Sequence, residues 1–291
     1  MQVEQSARSN NARNLGRVLV LDSGVGGLSV CKSLLKHCPQ ISIQYLADDE
    51  CFPYGTKDNE FLVARLSELI SRCHKRFQFD LVILACNTIS TLLLPHLREQ
   101  FDVPFVGVVP AIKPAAALSK TKHIGLLATP GTVSRPYTDE LVRDFAGDCT
   151  VLKVGSNELV HQAEKLLTEG GADLQVIERA LLPFKDALGQ VDTIVLGCTH
   201  FPLLHEYFSK LMPGVLFVDS GDAIARRVCS LVGWEEGARV VANDTGGCHD
   251  ETDFLQVRHA LMFTGKVPSS DQFYRSIKGL GFTQVELQLF E

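Results

Sequence analysis

Two cysteines stand in matching settings in the 291-residue chain. Cys86 follows the apolar run LVILA and precedes Asn87-Thr88, while Cys198 follows TIVLG and precedes Thr199-His200. A short apolar run that passes through a small residue into polar ones reads as a buried strand leading to a helix start. The N–H groups and dipole of a helix start favour a thiolate. From an ordinary thiol pKa of about 8.5, a modest depression lets such a group take or give a proton near pH 7. One cysteine at a strand end is as often a small buried apolar residue. Two in the same setting point to a pair of acid/base groups.

The neighbours of these cysteines suit an anionic substrate. Ser23, Asn87, Thr88 and Thr199, with backbone N–H groups at helix starts, can hold carboxylates without an arginine cluster. Asp22-Ser23-Gly24-Val25-Gly26-Gly27 is a glycine-rich turn. Its spacing is G-x-G-G rather than the dinucleotide G-x-G-x-x-G, and the Asp22 carboxylate would repel a phosphate. Asp22 is better suited to binding a substrate ammonium or orienting a thiol, or simply to capping a tight turn. Phe52-Pro53-Tyr54-Gly55 is a turn by composition. Tyr54 either covers a cleft or packs as a surface aromatic, and the residues alone leave both open. Cys198-x-His200 and Cys248-His249 hint at zinc, but no CxxC pair is present, so no metal is expected.

The elements that must position these residues alternate between strand and helix. Apolar strand patterns fall at residues 17–22, 41–47, 80–85, 104–109, 123–128, 149–154, 192–197 and 215–219. Helical patterns such as 58–77, 135–145, 157–169 and 222–232 lie between them. Continuous apolar strands of this kind belong to parallel sheets covered on both faces. The expected class is α/β, with two doubly wound α/β domains related by pseudo-twofold symmetry and an active site in the cleft between them. The basis for two lobes is an internal echo. DLVILACNTIS at 80–90 parallels DTIVLGCTHFP at 192–202, and DSG at 22–24 recurs at 219–221. Ligands in such folds sit at the carboxyl ends of strands, so each lobe would offer one cysteine. The first lobe is expected to hold residues 17–110 with 221–291, and an inserted second lobe residues 111–220. Residues 1–16 are expected to form a mobile N-terminal tail.

Composition narrows the function classes. The formal net charge is −6 with no basic block, which argues against a nucleic-acid partner. No apolar run reaches the ~18 residues of a membrane span, and the N-terminal residues lack the apolar core of a signal peptide. Nine cysteines form an odd set without framework spacing, several of them in apolar stretches. This points to reduced thiols and a cytoplasmic location.

Taken together, several motifs resemble the glutamate racemase family of the aspartate/glutamate racemase superfamily. They are DSGVGGLSV at 22–30, FPYG at 52–55, ACNT at 85–88, GVVPAIKPA at 107–115, LLATPGTV at 126–133 and LGCTHFPLL at 196–204. The likeness runs from about residue 18 to 225 and is strongest to proteobacterial members. It implies interconversion of L- and D-glutamate by two cysteines without pyridoxal phosphate, metal or other cofactor, supplying D-glutamate for peptidoglycan. By the same resemblance Cys86 deprotonates D-glutamate with help from Asp22. Cys198 deprotonates L-glutamate with help from His200. The pairs Asp22-Ser23, Tyr54-Gly55, Asn87-Thr88 and Thr199-His200 then contact substrate. Proteobacterial relatives also imply an activator, UDP-N-acetylmuramoyl-L-alanine. The family often carries a Glu near the second cysteine. Alignment puts His161 there, with Glu158 or Glu164 as the alternatives after a shift, and which of the three joins the proton relay is left open. Oligomeric state and the role of residues 243–260 are left open.

Two other readings compete. Related superfamily enzymes include aspartate or hydantoin racemases, maleate isomerases and one-cysteine decarboxylases, the last disfavoured by the two cysteines. A two-lobed amino-acid-binding protein without turnover is the other. Paired reactive thiols would be an oxidation liability in such a protein.

Overall fold

The computed structural model describes residues 16–187, 190–232 and 259–287. The first part of the chain runs β1 Arg17–Asp22, α1 Leu28–His37, β2 Ser42–Ala47, α2 Asn59–Phe77, β3 Leu81–Leu84, α3 Asn87–Gln100 and β4 Phe105–Gly107. It continues through α4 Ile112–Leu118, β5 His123–Ala128, α5 Pro130–Val133, α6 Pro136–Phe145, β6 Thr150–Gly155, α7 Glu158–Glu169 and α8 Leu174–Asp186. Then follow β7 Thr193–Leu196, α9 His205–Leu211, β8 Leu216–Val218, α10 Gly221–Leu231, β9 His259–Phe263, α11 Asp271–Gly279 and β10 Phe282–Leu287.

Two sheets result, and every strand pairing in them is parallel. One has the order β10-β9-β2-β1-β3-β4, the other β6-β5-β7-β8. Within the first sheet, β2-β1-β3-β4 repeats the order of the second, so β1 corresponds to β5 and β3 to β7. The echo seen around the two cysteines is therefore structural, since one follows β3 and the other β7. The DSG echo is not: the first DSG ends β1 in mid-sheet, whereas the second follows β8 at an edge.

Both faces of each sheet are covered, as continuous apolar strands require. Along β1, Val18 and Val20 face a core built with α1, α10 and α11. Leu19 and Leu21 face the opposite core, built with α2 and α3. The second sheet does the same with α7, α8 and α9 on one side and α4 on the other. Helix ends follow local rules. Asp58 caps α2 by accepting from Glu60 and Phe61 N–H, and Gly170 closes α7 at φ 86°.

Strands β9 and β10 extend the first sheet beyond β2 and carried no strand assignment in the sequence. His259 and Ala260 open β9, whereas residues 243–258, like residues 1–15 of the expected tail, lie outside the described residues. The reading of all cysteines as reduced is corrected at one pair. Cys38 follows α1, Cys229 lies in the facing α10, their Cα atoms approach to 6.3 Å, and their sulfurs are joined in a disulfide. A separation of 191 residues left no spacing signal for that pairing. Among the described residues, no helix is long and apolar enough to cross a membrane.

The turn after β1 is pinned from below by buried Tyr45, whose hydroxyl donates to the Gly24 carbonyl at 2.6 Å. Tyr45→Phe removes that donor from a buried acceptor and should cost about 1–2 kcal/mol in urea unfolding. An unchanged stability would show that the hydroxyl does not hold the turn.

Candidate active site

Cys86 occupies the N-cap of α3 in extended backbone (φ −144°, ψ 124°), directly after β3. The first-turn N–H groups of Ile89 and Thr88 reach its sulfur. Cys198 follows β7 and opens a tight turn, with Phe201 N–H donating to its carbonyl at 3.1 Å. Both cysteines line one recess of about 380 Å³. Its walls come from the carboxyl ends of both sheets. Ser23, Tyr54, Gly55, Asn87 and Thr88 stand on one side, with Thr129, Thr132, Asn157, Val160 and His200 on the other. No Lys or Arg lines it.

Asn87 is 4% exposed, yet among the described residues neither the nitrogen nor the oxygen of its amide has a hydrogen-bond partner. A buried amide rarely goes unpaired, because the loss costs about 1–3 kcal/mol. This side chain lines the recess and offers both a donor and an acceptor to a polar ligand.

The electrostatics differ on the two sides. Burial pushes the Cys86 thiol far above its ordinary value, and the Asp22 charge adds to the rise. The N–H groups of Ile89 and Thr88 pull the other way. Asp22 is wholly buried. Its Oδ1 accepts from Ser23 N–H at 2.7 Å and its Oδ2 from the Thr199 hydroxyl at 3.0 Å. Burial raises its carboxyl to about 6, with His200, Ser23 and Thr199 restraining the rise. On the opposite side His200 Nδ1 lies 3.8 Å from Cys198 Sγ, and its Nε2 lies 2.6 Å from Glu164 Oε1. Burial acts against a charged imidazole there. The Cys198 and Glu164 partners outweigh it and hold the ring well above the usual histidine range. Cys198 therefore has a cation at its side, while Cys86 faces a carboxylate.

Ser23, Tyr54, Gly55, Cys86, Asn87, Thr88, Cys198 and His200 all line the recess. Asp22 and Thr199 sit behind it, bonded to one another. Tyr54 is no surface aromatic: it is 1% exposed, and its hydroxyl donates to buried Asp48 at 3.0 Å. His161 is exposed and sets its ring edge-on to Phe52, with centroids 5.3 Å apart. Glu158 is exposed and lies 3.7 Å from Arg179. The carboxylate that reaches the second cysteine's histidine is Glu164, one of the two alternatives to His161 that the alignment left open. Helix phase could have found it. Val160 lines the recess, and Glu164 is one turn further along the same face of α7. Thr129 and Thr132 were also missed, although Thr-Pro at 129–130 is a helix-start signature.

The glycine-rich turn carries no phosphate cradle. A Cβ on Gly24 would collide with the Glu164 carboxylate, and one on Gly26 with the His200 ring. The glycines let side chains from α7 and from the turn after β7 press directly against the turn after β1. Among the described residues, no group of three or more His, Cys, Asp or Glu is placed to hold a metal. Cys248 and His249 lie outside them.

A profile of the Asp/Glu/hydantoin racemase family matches residues 18–228. The chain belongs to this family. A glutamate racemase of Shewanella loihica is 50% identical over 216 residues, spanning 74% of this chain and 80% of that one. One from Pectobacterium atrosepticum is 46% identical over 231 residues, spanning 79% and 81%. The crystal structure of Escherichia coli glutamate racemase with L-glutamate and the activator UDP-MurNAc-Ala is similar in fold. It has a TM-score of 0.82 and 40% identity, and covers 94% of this chain and 98% of that one. A Bacillus anthracis glutamate racemase isoform follows at TM-score 0.73 and 27% identity, covering 95% and 97%.

In this racemase the buried Asp22 charge has a stability cost that can be measured. A folded-state pKa raised from 3.8 to about 6 favours folding below the lower value, and that advantage is lost as pH rises through the upper one. Asp22→Asn keeps the shape and removes the charge. Its stability relative to the wild type should be near parity at pH 4 and rise to a gain of about 3 kcal/mol by pH 8, read from urea unfolding. A difference that stays constant between those pH values would contradict the assignment.

Proposed function

We propose that the chain racemises glutamate, with Cys86 and Cys198 as opposed acid/base thiols on either face of the α-carbon. The observation that carries this reading is their equivalence. They follow corresponding strands of two similarly ordered sheets and line one recess, beside an Asn87 amide left unpaired. The aspartate or hydantoin alternatives share the chemistry, and the 46–50% identity to curated glutamate racemases favours glutamate. A binding protein without turnover would have no use for a cation beside one thiol and a carboxylate beside the other.

Each direction uses one thiolate as base and the opposite thiol as acid. Beside an imidazolium, Cys198 takes the α-proton of L-glutamate while Cys86 delivers a proton to the other face. The reverse direction exchanges the roles, and proton movement through His200 and Glu164 resets the pair. As the α-proton leaves, charge flows onto the substrate α-carboxylate. The Asn87 amide, the Thr88 hydroxyl and helix-start N–H groups are fixed in place to meet it, and this is most effective where water is excluded. Asp22, held by Ser23 and Thr199, faces the Cys86 side. No step in this scheme calls on a cofactor. Both thiols must stay reduced to work, which supports a cytoplasmic setting.

We take the crossings after β4 and after β8 as the lobe boundaries, close to residues 110 and 221. Substrate entry then requires the lobes to part. Cross-lobe bonds close them: the Thr199 hydroxyl on Asp22, the Ser29 hydroxyl on the Thr199 carbonyl at 2.7 Å, and Val25 N–H on Glu164 at 2.7 Å.

Cys86→Ser and Cys198→Ser test the assignment. Both should lose racemisation by at least about a thousandfold, a loss in the range of removing an acid/base group. On a glutamate analogue with a leaving group at the β-carbon, a single α-proton abstraction suffices. Cys86→Ser should still process the L-like enantiomer and Cys198→Ser the D-like one. Near-normal racemisation by either variant would overturn the two-thiol reading.

An activator response belongs to the same proposal, since the similar Escherichia coli enzyme was crystallised with UDP-MurNAc-Ala. A second cavity of about 690 Å³ lies at the lobe crossings, lined by Val106, Pro110, Ile112 and Phe145, with Lys113 and Arg227 among its walls. An apolar floor with two cations suits a nucleoside diphosphate. A ligand there sits where lobe movement must hinge and can favour one conformation. Replacing Lys113 and Arg227 together by Ala should leave the basal rate intact. It should weaken half-saturation by UDP-N-acetylmuramoyl-L-alanine by at least about tenfold, loss of charged hydrogen bonds being of that size. Undiminished activation would place the activator elsewhere.

A further inference from the structure

We propose that Arg135 is a positioning residue for the Cys86 side of the reaction, a cationic latch that reaches across from the second lobe to the first turn of α3. The proposal rests on the two-thiol reading above. Arg135 lies between α5 and α6 in extended backbone, and Pro136 after it opens α6. Its base is firm. Buried Thr138 donates to the Thr132 carbonyl at 2.6 Å, and Thr132 N–H donates to the Thr129 carbonyl at 2.9 Å. From there Nη1 donates to the Thr88 carbonyl at 2.8 Å and also bonds the Thr91 hydroxyl. That hydroxyl in turn donates to the Asn87 and Thr88 carbonyls, each at 3.1 Å. Arg135 therefore fixes the turn that carries Asn87, Thr88 and the N–H groups aimed at Cys86.

Its charge matters as much as its bonds. Arg135 is half-buried, and among the described residues no carboxylate pairs with it. Burial disfavours its charge, and a Cys86 thiolate favours it. The groups acting on Cys86 are Asp22 from β1, Cys198 after β7, Tyr54 from the turn after β2, the Thr88 and Ile89 N–H groups, and Arg135. Asp22 and Cys198 oppose ionisation of Cys86. Among the described residues, Arg135 is a cation that interacts with Cys86 on that side, as His200 does with Cys198 on the other. It becomes compensated when Cys86 gives up its proton and when the lobes are shut.

Racemisation itself cannot reveal a one-sided effect, because the ratio of kcat/KM in the two directions equals the equilibrium constant and any variant must slow both alike. Single-abstraction leaving-group analogues remove that constraint. Arg135→Gln should lose at least about tenfold in kcat on the D-like enantiomer, the size expected for removing one neighbouring charge. On the L-like enantiomer the loss should stay below about threefold. Arg135→Lys keeps a charge without the guanidinium fork and should recover part of the D-like activity. The rise of Cys86 alkylation by iodoacetamide with pH should move to higher pH in Arg135→Gln and return part-way in Arg135→Lys. Equal losses on both enantiomers, or an unmoved alkylation profile, would overturn the latch. Cys86→Ser and Cys198→Ser run in parallel keep the two ideas apart. If they show no complementary selectivity, the two-thiol reading fails. If they do and Arg135→Gln loses both enantiomers equally, only the latch fails.

Discussion

Asp22 ends β1 with no exposure to solvent, and one of its two oxygens is bonded to Thr199 at the end of the other sheet. A buried carboxylate is tolerated only when donors satisfy it, and here one donor belongs to each half of the molecule. The bond ties the turn after β1 to the turn after β7. Those two turns carry the glycines, the second cysteine and the imidazole. Everything in the recess inherits its geometry from this closure, and the burial that makes the carboxyl titrate near 6 also presses on Cys86.

The same closure makes the two thiols unequal. Corresponding strands deliver them, but Cys86 then caps an α-helix whereas Cys198 opens a tight turn. The side chains around them differ too. His200 stands between Cys198 and Glu164, whereas Cys86 has Asp22 and first-turn N–H groups. In the proposed exchange of acid and base roles, the two thiols thus have neighbours of opposite charge. A symmetric scaffold carries an asymmetric pair.

Close approach is the other constraint. Gly24 and Gly26 lie where Glu164 of α7 and His200 of the turn after β7 arrive, with no room for a Cβ on either. The turn looks like a nucleotide fingerprint because both uses need backbone exposed to a partner. In one case the partner is a phosphate; here it is the protein's own Glu164 and His200. The bond from Val25 N–H to Glu164 completes the contact and orients the carboxylate that holds His200.

Local pattern determined much of this protein. The apolar runs at β1, β3, β5 and β7 announce parallel strands covered on both faces, because each alternate residue has a core to enter. Cys86 and Cys198 stood out because strand, small residue, cysteine and polar pair recur in one order, and motif order carried the family. Tertiary structure alone decided the rest. Glu158, His161 and Glu164 share one helix, and only the packing of α7 through Leu159, Val160 and Ala163 turns Glu164 towards His200. Arg135 reaches Thr88 across 47 residues, and Cys38 meets Cys229 across 191. Strand β10 joins a sheet whose other members precede it by as much as most of the chain. Periodicity reports which face of an element is buried. Which distant side chains meet on that face depends on how the lobes close, and no local pattern encodes that.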